Sequence, residues 1–464
     1  MTLWSPVLSS RIRPVCRLLL GSWIAFAMAC APSDGEDTLG TAENVIQVEP
    51  PSGEAETDRT RVQTAFDDVQ PGGTVQFAEG TYVLGQGARL TVPDVTVLGH
   101  PDGTVLRGCD PAGLEFPEEQ GGELDPFPIV QSCTGLFVMA DRQTIRGLTF
   151  EYAWHGIFVG VAPWLPPSDD TPSATSFGGH RIEDNLFQYT PNGIRVVGPA
   201  ENPTIIENNV VLNAYHAFQG NGAPIHVVGN RIQVPDPDGV PSSHYPESAV
   251  ILNDWGIEGA PCTGSIVQAN VVEGTANGIQ IMAAPGSTWS GHEIRDNDIR
   301  IGEVSLPETY AERLRDFFFP GAVGSAVAGV PIRLISQPGP PDQGVGRVTD
   351  VLVENNRVSG GSGLGIQLLG ASGNRIVDNQ IAGIQMRDPL NGPTWGDLPA
   401  MWEAANGSGV WISAGSDANH LEGNTFEDLA GSAIHIEGAD NEVIVGDAEM
   451  DVEDRGQDNR IRRP

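Results

Sequence analysis

Short apolar runs of alternating inside and outside character recur down most of the chain, punctuated by single asparagines. The stretch from His180 to Gly198 shows one unit. Its first half reads apolar-x-x-Asn-x-apolar, with Ile182, Asn185 and Phe187. The same spacing returns as Ile206-Asn209-Val211, Val227-Asn230-Ile232, Val267-Asn270-Val272, Ile294-Asn297-Ile299, Val353-Asn356-Val358, Ile376-Asn379-Ile381 and Leu421-Asn424-Phe426. The second half reads Gly-Ile-x-Val, seen from Gly193, Gly278, Gly365 and Gly409, and with Ala433 in the glycine place.

Alternating runs rich in Ile and Val predict strands, and the Asn between two of them predicts a tight turn where the chain enters the left-handed region. A unit this small cannot bury its own apolar face, so repetition predicts a solenoid of stacked units. Stacked turns would let the Asn amides bond from rung to rung, which makes them structural residues. These rungs resemble the parallel β-helix repeats of the pectin-lyase-like superfamily, from about Asp58 to Gly446. The resemblance implies an all-β fold, a single-stranded right-handed parallel β-helix of about a dozen coils. It selects no activity, because that superfamily includes lyases, hydrolases, epimerases, phage tailspikes, adhesins and accessory proteins.

At the start of the body, Thr60 to Val69 predicts a capping helix: Thr60 and Gln63 form a capping box, and Val62, Ala65, Phe66 and Val69 make one apolar face. Ile145, Leu148 and Phe150 form a rung with Leu in the Asn place. The pattern fades after Asp440. The boundaries this gives are a β-helix over 58–448 and a charged C-terminal tail over 449–464.

Charge and composition narrow the chemistry. The 464 residues carry a formal charge of −35, and the 25 basic residues are all Arg. Without Lys there is no Schiff-base chemistry and no Walker-type phosphate loop. So acidic a chain repels nucleic acid, and it repels a bare polyanionic sugar unless Ca2+ or local Arg intervenes. Ca2+ is the one cofactor this composition invites, with Asp254 and Glu258 as the oxygen ligands to consider.

Residues 1–30 read as an export signal, with Arg11, Arg13 and Arg17 before the apolar run Leu18 to Met28. Ala27-Met28-Ala29-Cys30 resembles a bacterial lipoprotein box. That resemblance implies lipidation of Cys30, membrane attachment through the lipid alone, and a place in the cell envelope, as an outer-membrane lipoprotein or at the cell surface. The alternative is ordinary cleavage after Ala29. Residues 31–57 read as a flexible acidic tether. Cys109 and Cys133 are candidates for a disulfide in an exported chain, leaving Cys262 as a buried thiol.

Insertions fall mainly after the Gly-Ile-x-Val strand, at 161–179, 254–264, 283–291, 302–329, 336–346 and 388–407, so long loops should crowd one side. One of them carries a capping box, Ser305 to Glu308, and predicts a small helix. The loops hold Trp164, Trp255, Trp289, Trp395 and Trp402, which either stack on sugar rings or pin the loops to the body.

If the Gly-Ile-x-Val strands stack in register, their outward residues form a row: Phe158, Arg195, Gln219, Ile251, Gln280, Arg333, Gln367, Trp411 and His435. Flanking rows add His155, Asn192, His216, Ser248 and Asn277, and Asn221, Asn253 and Met282. The densest titratable group is His155, Arg195, His216 and Asp254, the candidate catalytic set. Gln219, Asn253, Trp255, Gln280, Arg333, Gln367 and Trp411 are the candidate sugar-binding residues. Removing the proton beside a uronate carboxyl needs a base and a cation, which His and Arg supply, with Tyr152 or Tyr215 as acid. Hydrolysis would need two carboxyls, for which Asp254 and Glu258 are the nearby pair. No signature of a pectate lyase, polygalacturonase or alginate epimerase is present. Two functions compete: a lipid-anchored protein that binds a polysaccharide and processes it as lyase, epimerase or hydrolase, and a non-catalytic scaffold or adhesion module with protein partners. Nothing in the sequence sets an oligomeric state.

Overall fold

The computed structural model describes residues 44–109, 133–161, 177–214, 216–234, 248–253, 262–275, 277–301, 329–338, 344–361, 363–386 and 405–464. The chain winds as a right-handed parallel β-helix of three long sheets. The first sheet has fourteen strands, from Val45–Gln47 to Arg460–Arg462. The second has eleven, from Gly80–Val83 to Thr425–Glu427, and the third twelve, from Ala88–Leu90 to Val452–Asp454. Every pairing is parallel and joins equivalent positions of successive coils, as in Ile182 to Ile206, Ile206 to Val227 and Val227 to Val267. Alternation decides which side chains enter the core. Phe150 and Phe187, for example, stack at 4.9 Å between centroids with rings 7° from parallel.

The repeated asparagines stand in one buried column inside the turn between the first and second sheets. Each side-chain amide donates to Oδ1 of the next, from Asn185 to Asn209 at 3.1 Å through Asn379 to Asn424 at 2.9 Å. The same Oδ1 accepts the backbone N–H of the previous Asn, as Asn270 does for Asn230 at 2.9 Å. One detail differs from expectation: the left-handed residue is the one before the Asn, including Asp184 at φ 55°, Ala269 at 55° and Asp296 at 57°. That conformation costs about 1 kcal/mol outside glycine, and it frees the next residue to turn its amide inward.

A second column, which the apolar-x-x-Asn-x-apolar spacing does not mark, stands beside the first. Asn374, Asn419, Asn441 and Asn459 form an equivalent ladder ahead of the first-sheet strands, with donor distances of 3.1 Å throughout. Further up, Ser265, His292 and His180 accept backbone N–H groups in the same way.

Both ends extend beyond their predicted limits. The helix runs Ala55–Asp68, longer than Thr60 to Val69, and Thr60 lies inside it with its hydroxyl donating to the Glu56 carbonyl at 2.7 Å. The buried Asp58 carboxylate does the fixing instead, accepting from Ser52 N at 2.6 Å, Ser52 Oγ at 2.7 Å and Val83 N at 3.2 Å. Val62, Ala65, Phe66 and Val69 enter the core. Part of the expected tether, Val45–Gln47, is a strand paired with Thr74–Gln76. The expected tail, 449–464, supplies two more strands, because Val452–Asp454 and Arg460–Arg462 still find parallel partners.

Cys109 and Cys133 form a disulfide with Cα atoms 5.3 Å apart, and Cys262 is a buried thiol. Among the described residues no helix is long and apolar enough to cross a membrane. Cys30 and the export signal lie outside the described residues, as do most of the inserted loops and the expected helix after Ser305.

Candidate functional site

The outer face of the third sheet carries the row. Strand pairing places Phe158, Arg195, Gln219, Ile251, Gln280, Arg333, Gln367, Trp411 and His435 in one column. His155, Asn192, His216, Ser248 and Asn277 stand in a parallel column, and Asn221 lies beside Asn253. Glycine is required at several positions between these columns. A Cβ on Gly193 would lie 2.5 Å from the Ala217 carbonyl, and one on Gly278 would lie 2.3 Å from the Pro331 carbonyl.

Arg195 keeps partial exposure, but most of the row is shut off from solvent, which corrects the expectation of an open outward face. Gln219 is 4 % exposed and Arg333 1 %, and Gln280, Gln367, Trp411 and His435 are also buried. Separate small clusters lie on this face: Trp411 with Val330, Leu364 and Ala405, and Ile251 with Met282 and Ile335.

The upstream end gathers the candidate catalytic side chains that are described. The His155 ring meets Phe158 edge to face at 5.2 Å, and the Arg195 guanidinium lies 5.9 Å from the centre of the same ring. Arg195 Nε donates to Asn221 Oδ1 at 2.9 Å, and Asn221 Nδ2 donates to Asn253 Oδ1 at 2.5 Å. Burial pushes His216 down to about 3 and His155 well below the usual imidazole range, with the Arg195 charge adding to both. Burial also lowers Arg195 to about 10, so it remains a cation at neutral pH. Two buried polar atoms here, Gln219 Oε1 and Asn253 Nδ2, have no hydrogen-bond partner among the described residues.

Downstream, polar groups satisfy one another. Arg333 Nε donates to Gln367 Oε1 at 2.9 Å and Nη1 to Gln280 Oε1 at 3.3 Å, while Gln280 Nε2 donates to Ser248 Oγ. Gln280, Arg333 and Gln367, expected to bind sugar, thus form an internal chain. Trp411 is fully buried and offers no open ring face. Trp289, expected in a loop, sits in the strand Thr288–Ser290 of a small three-stranded sheet and packs on His292 at 5.4 Å. Tyr152 is stacked on Tyr189 at 5.4 Å in the turns before the third sheet. Asp254, Trp255, Glu258, Tyr215, Trp164, Trp395 and Trp402 lie outside the described residues.

One group of three potential metal ligands occurs among the described residues, Glu79, His100 and Asp102, whose ligand atoms lie within 4.8 Å of one another. It is not on the row. The sequence offered no repeat to point to it. A depression of about 360 Å³ lies at another corner, lined by Glu201, Pro203, His226 and Cys262 among others.

Fold and site define a parallel β-helix with one elaborated sheet face. Residues 344–449 match the family described as right handed beta helix region. No curated protein matches the chain in sequence. Similar solved structures include the Agl-KA catalytic domain, at 11 % identity and a TM-score of 0.49, covering 91 % of this chain and 69 % of that one. A mutant tailspike protein of E. coli bacteriophage HK620 in complex with a pentasaccharide is 13 % identical, with a TM-score of 0.39 and coverage of 89 % and 64 %. DFA-IIIase from Arthrobacter chlorophenolicus is 16 % identical, with a TM-score of 0.40 and coverage of 91 % and 88 %.

Proposed function

We propose that this is an exported, lipid-anchored protein that binds a polysaccharide at the upstream end of the third sheet and acts there on an acidic sugar unit. The observation that carries this reading is the pair of buried atoms without a hydrogen-bond partner among the described residues, Gln219 Oε1 and Asn253 Nδ2, on the strands next to Arg195 and His216. A buried polar atom without a partner costs about 1–3 kcal/mol, and a sugar hydroxyl, both donor and acceptor, is the group that relieves both.

The chemistry follows from charge. Arg195 would hold a uronate carboxylate, and His216 would take the adjacent proton in elimination or epimerisation, with His155 two coils away across Asn192. His216 at about 3, lowered first by burial and then by the Arg195 charge, is too weak a base for this in the unliganded site. A carboxylate bound beside Arg195 would offset the smaller of these two causes and raise the His216 pKa, with burial still opposing its protonation.

The test is incubation of the full chain with neutral and acidic polysaccharides, with and without Ca2+, reading unsaturated products and new reducing ends. Product from an acidic polymer, lost in His216→Ala, is the expected result. A second reading, a non-catalytic scaffold with protein partners, is favoured by the self-satisfied Gln280–Arg333–Gln367 chain. No product and no binding on any polymer would establish it instead. The anchor is tested separately, by fatty-acid labelling that Cys30→Ala should abolish.

A further inference from the structure

At the far end of the row, the column continues from Trp411 to His435 and from His435 to Glu453. The His435 side chain is fully buried. Its Nδ1 lies 3.0 Å from Glu453 Oε2, and Oε1 of the same carboxylate accepts from Arg455 Nε at 2.8 Å. A carboxylate on Nδ1 takes a ring N–H as its donor there and turns Nε2 toward Glu437. That Nε2 makes no hydrogen bond among the described residues and lies 3.5 Å from Glu437 Oε1. Glu437 Oε2 is buried and also without a hydrogen-bond partner among them. A positive centre, either a proton on Nε2 or a bound cation, has to lie between this nitrogen and the carboxylate.

We propose that His435 Nε2 and Glu437 are the protein ligands of a divalent transition-metal ion, with Glu453 orienting the imidazole from its other nitrogen. Imidazole and carboxylate suit zinc and its neighbours. With metal–ligand bonds of about 2.1 Å in tetrahedral geometry, nitrogen and oxygen should stand about 3.4 Å apart. The observed 3.5 Å matches this, whereas a charge-assisted hydrogen bond would draw them to about 2.7–2.9 Å. A carboxylate on the far ring nitrogen is the usual support of a metal-bound histidine. The Glu437 side chain keeps 16 % exposure, which gives the ion an approach and room for water at its remaining positions. By contrast, His100 Nδ1 in the Glu79 group already accepts the Asp102 N–H at 3.2 Å.

The experiment is titration of the untagged, chelator-treated full chain with Co2+, read by visible absorption, and with Zn2+, read by calorimetry. One equivalent of Co2+ should bind with tetrahedral-type bands. His435→Gln should abolish them, Glu437→Gln should weaken binding at least tenfold, and Glu453→Gln should weaken it about 10–100-fold. His100→Gln should change nothing. Absence of binding, binding that survives both His435→Gln and Glu437→Gln, or loss in His100→Gln would each overturn the proposal. Glu437 is partly exposed, so Glu437→Gln decides the question even if His435→Gln fails to fold.

Discussion

Asn297 and Asn356 are 59 positions apart, yet the side-chain amide of the first donates to Oδ1 of the second at 2.9 Å. Asn270 sits one rung above, donating to Val227 O at 2.9 Å and to Asn297 Oδ1 at 3.0 Å while accepting from Asn230. Asn270→Ala leaves several buried groups without partners at once, each costing about 1–3 kcal/mol. The expected destabilisation is about 3–5 kcal/mol, measured as a shift of the urea midpoint. A midpoint unchanged from the parent would mean the ladder contributes no stability.

Gln219 separates stability from function. Its Oε1 is buried with no partner among the described residues, so Gln219→Leu should hold stability level or raise it by about 1 kcal/mol. The same change should lower affinity for the acidic polysaccharide about tenfold, read by calorimetry on the full chain. Loss of stability with unchanged affinity would assign Gln219 to the architecture alone.

Gly278 tests the close approach of coils. An added Cβ would stand 2.3 Å from the Pro331 carbonyl and 2.8 Å from Ile299 Cγ2. Gly278→Ala should cost about 1–3 kcal/mol. Ala249 occupies the equivalent place one coil earlier, so Ala249→Gly serves as the control, with a loss of about 1 kcal/mol or less.

Acid should weaken the fold before the carboxylates titrate. Burial lowers both His180 and His292 to about 4, while an unfolded histidine takes up its proton near 6.5. Between those values the unfolded chain binds more protons, so stability is complete above about pH 6.5 and falls as pH drops toward 4. Each contributes a loss of about 3 kcal/mol by pH 4. Urea midpoints compared at pH 7.5 and 4.5 measure this, and equal values would show both rings protonating freely in the folded state.

The sequence made the coil legible because Asn185, Asn209 and their successors repeat with their flanking aliphatics, and strand register follows once they stack. The row from Phe158 to His435 was legible for the same reason. Its burial was not: period two says which way Arg333 points and nothing of what lies beyond. The last coil escaped because Asp447 to Gly456 lacks the apolar-Asn-apolar signature, although Asn441 and Asn459 mark its other turn. Gly-Asn-Arg at 373–375 and Asp-Asn-Arg at 458–460 carried that signal, too short to stand out alone. The Glu437–His435–Glu453 group needs two coils laid side by side, and the second, a polar end coil in the sequence, carries no repeat that fixes its register.

The spacing along the asparagine column is as short as 21 residues, between Asn209 and Asn230, and as long as 59, between Asn297 and Asn356. Height per storey is nonetheless fixed at about 4.8 Å by the interstrand distance. Contour length and pitch are therefore decoupled in this architecture. Cutting out residues 209–229 would join Asn208 to Asn230, close the column on itself and yield a protein one storey shorter, with the floors above and below unchanged.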